Sequence, residues 1–318
     1  MGGGRLDPAV GATRTAVRRA LADLDDALVL VACSGGPDSL ALAAATAHVA
    51  PRLHLRVGAI VVDHGLQDGS ADAAARAGET VRGLGLAPVD VVREQVRATK
   101  DGPEASARAA RYRVLEQQAA QHGAAVVLLG HHRDDQAEQV LLGLARGSGA
   151  RSLAGMPERR GIYRRPFLEL PRTTLGKALA AQGIISWHDP SNDDAAFARN
   201  RVRHQVLPAL ERAIGPGVDA ALARTARQLR DDADALDALA VDAEQRARDP
   251  RGGWSVAVLA DLPPALRSRV LRAISGGRAS DVQVRALDAL ITAWRGQGPV
   301  SVPGAGSVRR DGHRLHRS

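Results

Sequence analysis

The chain has 318 residues, 45% apolar and 25% charged, a globular composition long enough for about two domains. Its first ten residues, MGGGRLDPAV, lack the apolar core of a secretory signal, and its longest apolar runs, such as AAVVLL over 124–129, are too short for a bilayer; a cytoplasmic, membrane-free protein is expected. The formal charge of +8 suits an acidic partner, but lysine occurs only at 100 and 177, so the charge is nearly all arginine and genome composition bias competes with nucleic-acid binding as its cause. The single cysteine, Cys33, excludes a disulfide framework and any cysteine-built zinc or iron–sulfur site. Aromatics, at 2%, are too few for a base-stacking sheet. In chain order, ALVLVA (27–32) reads as a buried parallel strand, followed by RVGAIVVD (56–63), APVDVVRE (87–94) and AAVVLLG (124–130). Helical stretches lie between them near 38–49, 70–84 and 104–121. This alternation predicts an α/β fold, a parallel sheet with helices on both faces. Ligands of such sheets sit beyond the carboxyl ends of the strands. Those ends carry CSGGPDS, DHG, EQV and GHHRDD, most of the unusual polar chemistry of the chain.

The texture changes near Gly215-Pro216-Gly217. One long Ala/Leu/Arg/Asp helix is predicted over 218–248, with Leu222, Leu229, Leu236 and Leu239 on its apolar stripe. Shorter helices follow over 262–274 and 280–294, and the end reads as a small hairpin with an arginine-rich face. Two domains are expected, 1–216 and a smaller, mostly helical 217–318.

Ser34-Gly35-Gly36-Pro37-Asp38-Ser39 joins the first strand to a helix. The glycines permit a tight turn and close backbone approach, the helix N-terminus offers free N–H groups and a positive dipole, and the two serines add hydroxyl donors. Such a nest binds phosphate without the lysine of the common nucleotide loop. An ordinary capped strand–turn–helix connection is the bland alternative. In GHHRDDQAE, a helix beginning near His132 puts Asp135 and Glu138 one turn apart on one face, with His131 at its entrance. A divalent-metal cluster and a capped helix with a solvated acidic face both fit this pattern, though no HExxH spacing is present. Arg108 and Arg111 share a helix face, and Arg201 and Arg203 point the same way if their segment is extended. Arginine suits phosphate by its bidentate geometry, although in so arginine-rich a chain a solvated surface role competes at each position.

SGGPDS resembles the pyrophosphate loop of the N-type ATP pyrophosphatases, the PP-loop family, which cleave ATP between the α and β phosphates and adenylate a carbonyl-type oxygen. Within that family the likeness is to the tRNA(Ile)-lysidine synthetases. It rests on Val62-Asp63-His64-Gly65, on EASARAARY (104–112), on Gly130-His131-His132-Arg133-Asp134-Asp135-Gln136-Ala137-Glu138, on LARGSG (144–149), on RRPFLELPR (164–172), on WHDPSN (187–192) and on RNRVR (199–203). It runs from about 27 to 210, in the family's order, with Gln139 standing where the family usually has threonine.

The resemblance implies a PP-loop parallel sheet, ATP and Mg²⁺ as cofactors, and L-lysine and tRNA(Ile) with a CAU anticodon as partners. Lysine would be joined to C2 of the wobble cytidine through an adenylated tRNA. It implies that Ser34, Gly35, Gly36, Pro37, Asp38, Ser39, Asp63 and Gly130 bind ATP, with Asp38 also the carboxylate for the metal. It makes Asp135, Glu138, His131, Arg111 and Arg201 candidates for the chemistry, and Arg108, Asp134 and Arg203 candidates for substrate binding. The carboxylates would receive the ammonium of lysine. His131 is a candidate helper, with a structural histidine as the competing reading. Tyr112, Tyr163, Phe167, Trp187 and Phe197 fall in or beside these motifs, and packing on an extruded base competes with a core role for each. A tRNA thiolase of the same family and a non-catalytic nucleotide- and tRNA-binding module are the alternatives. The arginines at 309, 310, 314 and 317 are expected to supply RNA affinity.

Overall fold

The computed structural model describes residues 6–63, 65, 69–94, 103–147, 149–187, 193–304 and 306–318, with the side chains of 103–105 left aside. His64 and 188–192, both within expected motifs, lie outside the described residues. The chain divides into two compact units, Met1–Arg227 and Gln228–Ser318.

The first unit opens with α1 (Pro8–Leu21), a helix the sequence reading passed over although Asp7 caps its N-terminus and Pro8 sits at its first turn. Then come β1 (Leu28–Cys33), α2 (Pro37–Val49), β2 (Arg56–Asp63), α3 (Ser70–Gly83), β3 (Val89–Arg93), α4 (Pro103–His122) and β4 (Val126–Leu128). The four expected strands and three expected helices are all present. After α5 (Arg133–Ala145) and α6 (Ala150–Leu153) follow two very short strands, β5 (Arg159–Arg160) and β6 (Tyr163–Arg164), then α7 (Arg172–Ala180).

The sheet runs β3-β2-β1-β4-β6-β5. Every pair is parallel except β5 with β6. Alternate residues of β1 feed two cores. Val29, Val31 and Cys33 pack with α1, α2, α3 and α7, while Leu28, Leu30 and Ala32 pack with Val114, Leu115 and Ala119 of α4. Burial on both faces is why β1 reads as a continuous apolar run rather than an alternating one. The chain leaves β1 to one side for β2 and returns to its other side for β4, so the order reverses between β1 and β4. A crevice for ligand opens at such a point, beyond the carboxyl ends of the strands. Ser34–Ser39 and Gly130–Asp135 both begin there.

The condition on which Arg201 and Arg203 would point the same way, an extended RNRVR segment, is not met: α8 (Ala198–Arg201) passes through a π-helical turn (Val202–Val206) into α9 (Leu207–Ile214). Pro208 explains the wide turn. It has no N–H for the usual bond to residue 204, and the preceding Leu207 N–H reaches back five residues to the Val202 carbonyl.

The boundary between the units falls inside α10 (Val218–Ala247), whereas the change of texture lies just ahead of that helix. In the second unit, Ala240, Ala243 and Ala247 of α10 join a core with residues of α11 (Val256–Ala260), α12 (Pro264–Ile274) and α13 (Asp281–Thr292). Val302, Val308 and Leu315 complete it from β8 (Val300–Val302), β9 (Gly306–Asp311) and β10 (Arg314–Arg317). β10 also pairs with β7 (Trp254–Ser255), so the expected hairpin is part of a four-stranded sheet, β7-β10-β9-β8.

Candidate active site

The turn after β1 is tied together by Ser39. Its hydroxyl accepts from the Ser34 N–H at 3.1 Å and donates to the Gly36 carbonyl at 3.0 Å. Gly35 takes φ +80°, and a Cβ there would lie 3.0 Å from the Ala77 side chain of α3. Only glycine suits both demands. Gly36 precedes α2 without any side-chain cap, so the first N–H groups of that helix are left for a ligand. The Trp187 N–H bonds the Gly35 carbonyl at 3.0 Å, which fastens the later motif segment to this loop.

Gly130, at the end of β4, lies against the start of α2. A Cβ on it would come within 3.1 Å of the Asp38 carbonyl oxygen. Asp63, at the end of β2, is buried and accepts from the Gly65 N–H at 2.9 Å.

The two histidines that follow Gly130 have opposite surroundings. His132 is 1% exposed, and its ring nitrogens lie 3.5 Å from carboxylate oxygens of Asp38, Asp134 and Asp135. At that distance these are ion-pair contacts rather than formed hydrogen bonds. Burial alone would lower its pKa, but the three carboxylates outweigh burial and raise it to about 10, so the ring is an imidazolium. His131 is held neutral, its pKa lowered to about 3. Burial is the main cause; Asp135 pulls the other way, and Arg165, Arg111 and Arg108 add to the lowering. Its Nδ1 is buried and has no hydrogen-bond partner among the described residues.

The N-terminus of α5 therefore separates an anionic half of the site from a cationic half. The anionic half holds Asp38, Asp135 and Glu138. One oxygen of Asp135 accepts from the His132 N–H at 2.9 Å, and the other accepts from Arg203 at 3.1 Å. Glu138 is fully buried. Arg203 Nε donates to it at 2.6 Å, and a second donor of the same guanidinium reaches its other oxygen at 3.2 Å. Arg199 adds an ion-pair contact at 3.8 Å. Burial pushes the Glu138 carboxyl upward against the pull of Arg203. One buried oxygen of Asp38 has no hydrogen-bond partner among the described residues.

The cationic half lies where α4 meets the ends of β4 and β6. Burial lowers the pKa of Arg111. Arg108 is exposed and stacks over Tyr112, 5.1 Å from the ring centroid. Tyr112 meets Tyr163 edge to face with centroids 4.9 Å apart. Phe167 is fully buried in the sheet core, so it has no free face for a base.

Three expected site residues, two for substrate binding and one for the chemistry, have other partners. Asp134 accepts from the Arg172 N–H at 2.9 Å and so caps α7; burial would raise its pKa, but His132 and that bond lower it to about 2. Arg203 faces Glu138 and Asp135 rather than an open phosphate site. Arg201 does not point with it. In a helix, residues two apart lie on different sides, and Arg201 donates to the Ala195 and Ala196 carbonyls at 2.7 Å. Gln139 accepts from Arg199 at 3.1 Å, which gives the unusual glutamine a partner on α8. Sequence reasoning missed His132, Arg165 and Arg199. The doubled histidine and the arginine runs were visible, but neither shows which member turns inward. Among the described residues no group of three His, Cys, Asp or Glu side chains could hold a metal ion.

In the second unit only Arg309, of the four arginines near the end, is exposed without a partner among the described residues. Arg310 bonds the Leu290 carbonyl and stacks on Trp294, Arg317 bonds the Ile274 carbonyl, and Arg314 bonds the Arg251 carbonyl.

A glycine turn at the reversal point of a parallel sheet, with a helix N-terminus behind it, is a phosphate-binding site of the nucleotide-binding α/β class, and the SGGPDS loop places it among the PP-loop proteins. The PP-loop domain family model matches residues 12–210, and the model for the TilS substrate binding domain matches 255–316. The tRNA(Ile)-lysidine synthase of Thermobifida fusca is 56% identical over 95% of both chains, and that of Salinispora tropica is 54% identical over 98% of this chain and 96% of its own length. The chain belongs to the tRNA(Ile)-lysidine synthase family. The U34-tRNA thiolase NcsA of Methanococcus maripaludis, solved with its [4Fe-4S] cluster, shares the fold, with a TM-score of 0.59 at 18% identity over 70% of this chain and 79% of that one.

Proposed function

We infer that this chain is an ATP-dependent carbon–nitrogen ligase that joins L-lysine to C2 of the wobble cytidine of tRNA(Ile) with a CAU anticodon. The observation that carries this reading is the division of one crevice into an anionic and a cationic half at the mouth of a phosphate loop. A reaction between a cationic amine and a phosphorylated nucleotide needs both. In this reading the cytidine O2 attacks the α-phosphorus of ATP, pyrophosphate leaves, and the lysine ε-amine displaces AMP from C2.

The loop from Ser34 to Ser39 receives the pyrophosphate through backbone N–H groups and serine hydroxyls. Mg²⁺ fits beside it, because the partnerless oxygen of Asp38 supplies the hard carboxylate ligand such a cation takes together with phosphate oxygens. Its contribution when bound is to neutralise phosphate charge. Asp135 receives the lysine ammonium and draws a proton from it as it approaches C2. Glu138, fully buried with both oxygens on Arg203, positions that arginine, which in turn holds Asp135. Arg111 faces the transferring phosphate. His131, kept neutral, is suited to a hydrogen bond to the base or ribose rather than to carrying charge.

The single cysteine favours an amine over a sulfur nucleophile. Cys33 is buried at the end of β1, and burial pushes its thiol upward, away from the reactive thiolate. The test is incorporation of labelled lysine into a tRNA(Ile)-CAU transcript, with ATP, lysine or tRNA omitted in turn. Lysine in the tRNA together with AMP and pyrophosphate supports the reading. AMP release that leaves the tRNA without lysine would overturn it.

A further inference from the structure

Arg165 has no part in the functions assigned so far. It follows β6, and β6 runs parallel to β4 with Arg164 opposite Leu128, so Arg165 stands level with Leu129, just before Gly130 and His131. Strand alternation separates it from its neighbour. Arg164 turns to Asp23 at the end of α1, and a fork of two donors meets that carboxylate. By the same alternation Arg165 shares the side of Tyr163, and it is 4% exposed.

Its guanidinium is sparsely partnered for so buried a charge. One donor bonds the Pro157 carbonyl at 3.0 Å, and Nε is buried with no hydrogen bond at all. No carboxylate pairs with it among the described residues, whereas Arg133, Arg164, Arg203 and Arg267 each have one. An unpaired buried charge is costly, and the usual remedies are a counter-ion or a hydrogen-bonded network. Its field falls on His131, together with those of Arg111 and Arg108. Three guanidinium groups are thus within electrostatic reach of His131.

We propose that Arg165 is a phosphate-binding residue of the active site, one whose counter-ion arrives with a substrate. This rests on the functional reading above, which supplies two phosphate sources: the α-phosphate of ATP and a phosphodiester beside the target cytidine. Arginine binds either by the same bidentate chemistry.

The experiment measures ATP affinity and tRNA(Ile)-CAU affinity separately, on the full chain and on Arg165→Met and Arg165→Lys. No turnover is needed, so loss of binding is distinguishable from failure of the lysine-transfer reading. Arg165→Met is expected to weaken one ligand about tenfold or more. Its ligand-free melting temperature should stay level or rise, because an uncompensated charge has been removed. Loss confined to ATP assigns the α-phosphate, and loss confined to tRNA assigns the phosphodiester. Wild-type affinity for both ligands overturns the proposal, as does a lowered ligand-free melting temperature without weakened binding. Should Arg165→Met not fold, Arg165→Lys decides by the same two affinities. The lysine keeps the charge and loses the fork, so a clear loss for one ligand supports the role and wild-type affinity for both refutes it.

Discussion

Arg203→Met removes the one side chain, among the described residues, that both donates hydrogen bonds to Glu138 and pairs with Asp135. Glu138 has no solvent exposure and Arg203 only 18%, so little water can replace the lost contact. Removing one partner of a buried ion pair costs about 3–5 kcal/mol. Two features put this site near the lower bound: Arg199 remains 3.8 Å from the carboxylate, and a carboxyl already pushed upward can take a proton instead. For a unit of this size each kcal/mol moves the melting temperature by roughly 2–4 °C, so a fall of about 6–12 °C is expected. Calorimetry on the full chain measures it, and the relevant transition is the one that ATP shifts upward. The sign with pH follows from Glu138. A carboxyl whose folded pKa lies above its unfolded value binds more protons when folded, so stability rises as pH falls. The deficit of Arg203→Met should therefore be larger at pH 8 than at pH 5. Adding Glu138→Gln should restore much of the loss by removing the stranded charge. A single variant melting within about 1 °C of wild type, or a double variant no better than the single, would refute the reasoning.

Three further outcomes are expected. Asp135→Asn keeps an acceptor for the His132 N–H but loses the charge beside the incoming amine, so the chain should still fold, with some loss of stability, while lysine transfer falls about 10²–10³-fold; near wild-type rates at saturating lysine would remove Asp135 from the mechanism. His132, raised to about 10, contributes stability that is complete below its unfolded value near 6.5 and lost as pH rises through 10, so urea titrations should show the wild type losing in that window a component that His132→Gln lacks. Arg309→Glu should weaken tRNA binding and reduce its salt slope by about one or more, whereas Arg310→Met should mainly lower the melting temperature of the second unit, because Arg310 holds the Leu290 carbonyl; equal effects on affinity would contradict the distinction.

The elements that position the site were legible in the sequence because their burial is uniform. β1 is apolar at every position since both of its faces are covered, and β2 and β4 read almost as clearly. β6 was not legible: two residues cannot carry a periodicity, and its place in the sheet comes from pairing with β4. α8 was not legible either, because alternating arginines fit a strand as readily as a helix, and the packing of Arg203 onto Glu138 is a long-range contact. The acidic residues of the α5 segment stood out by their place directly after a strand, since Asp-Asp pairs also occur at 25–26, 193–194 and 231–232. The arginines did not, because arginine is everywhere in this chain. Whether a particular arginine binds a backbone carbonyl, a carboxylate or nothing is decided by long-range neighbours. Arg164 and Arg165, adjacent and identical in type, have entirely different partners for that reason.

Gly130 touches the start of α2 with its backbone alone. The distance between the phosphate loop and the α5 segment is therefore set by the thickness of two peptide chains, with no side chain between them to compress, rotate or replace. In a library covering every substitution, this position should tolerate almost nothing, although it holds no charge and needs no titratable group. Its intolerance would be shared between ATP binding and amine transfer, since a displaced Asp38 carbonyl shifts both loop and carboxylate at once. No compensating change in a neighbouring side chain can recover the lost space, so reversion should be the dominant escape under selection.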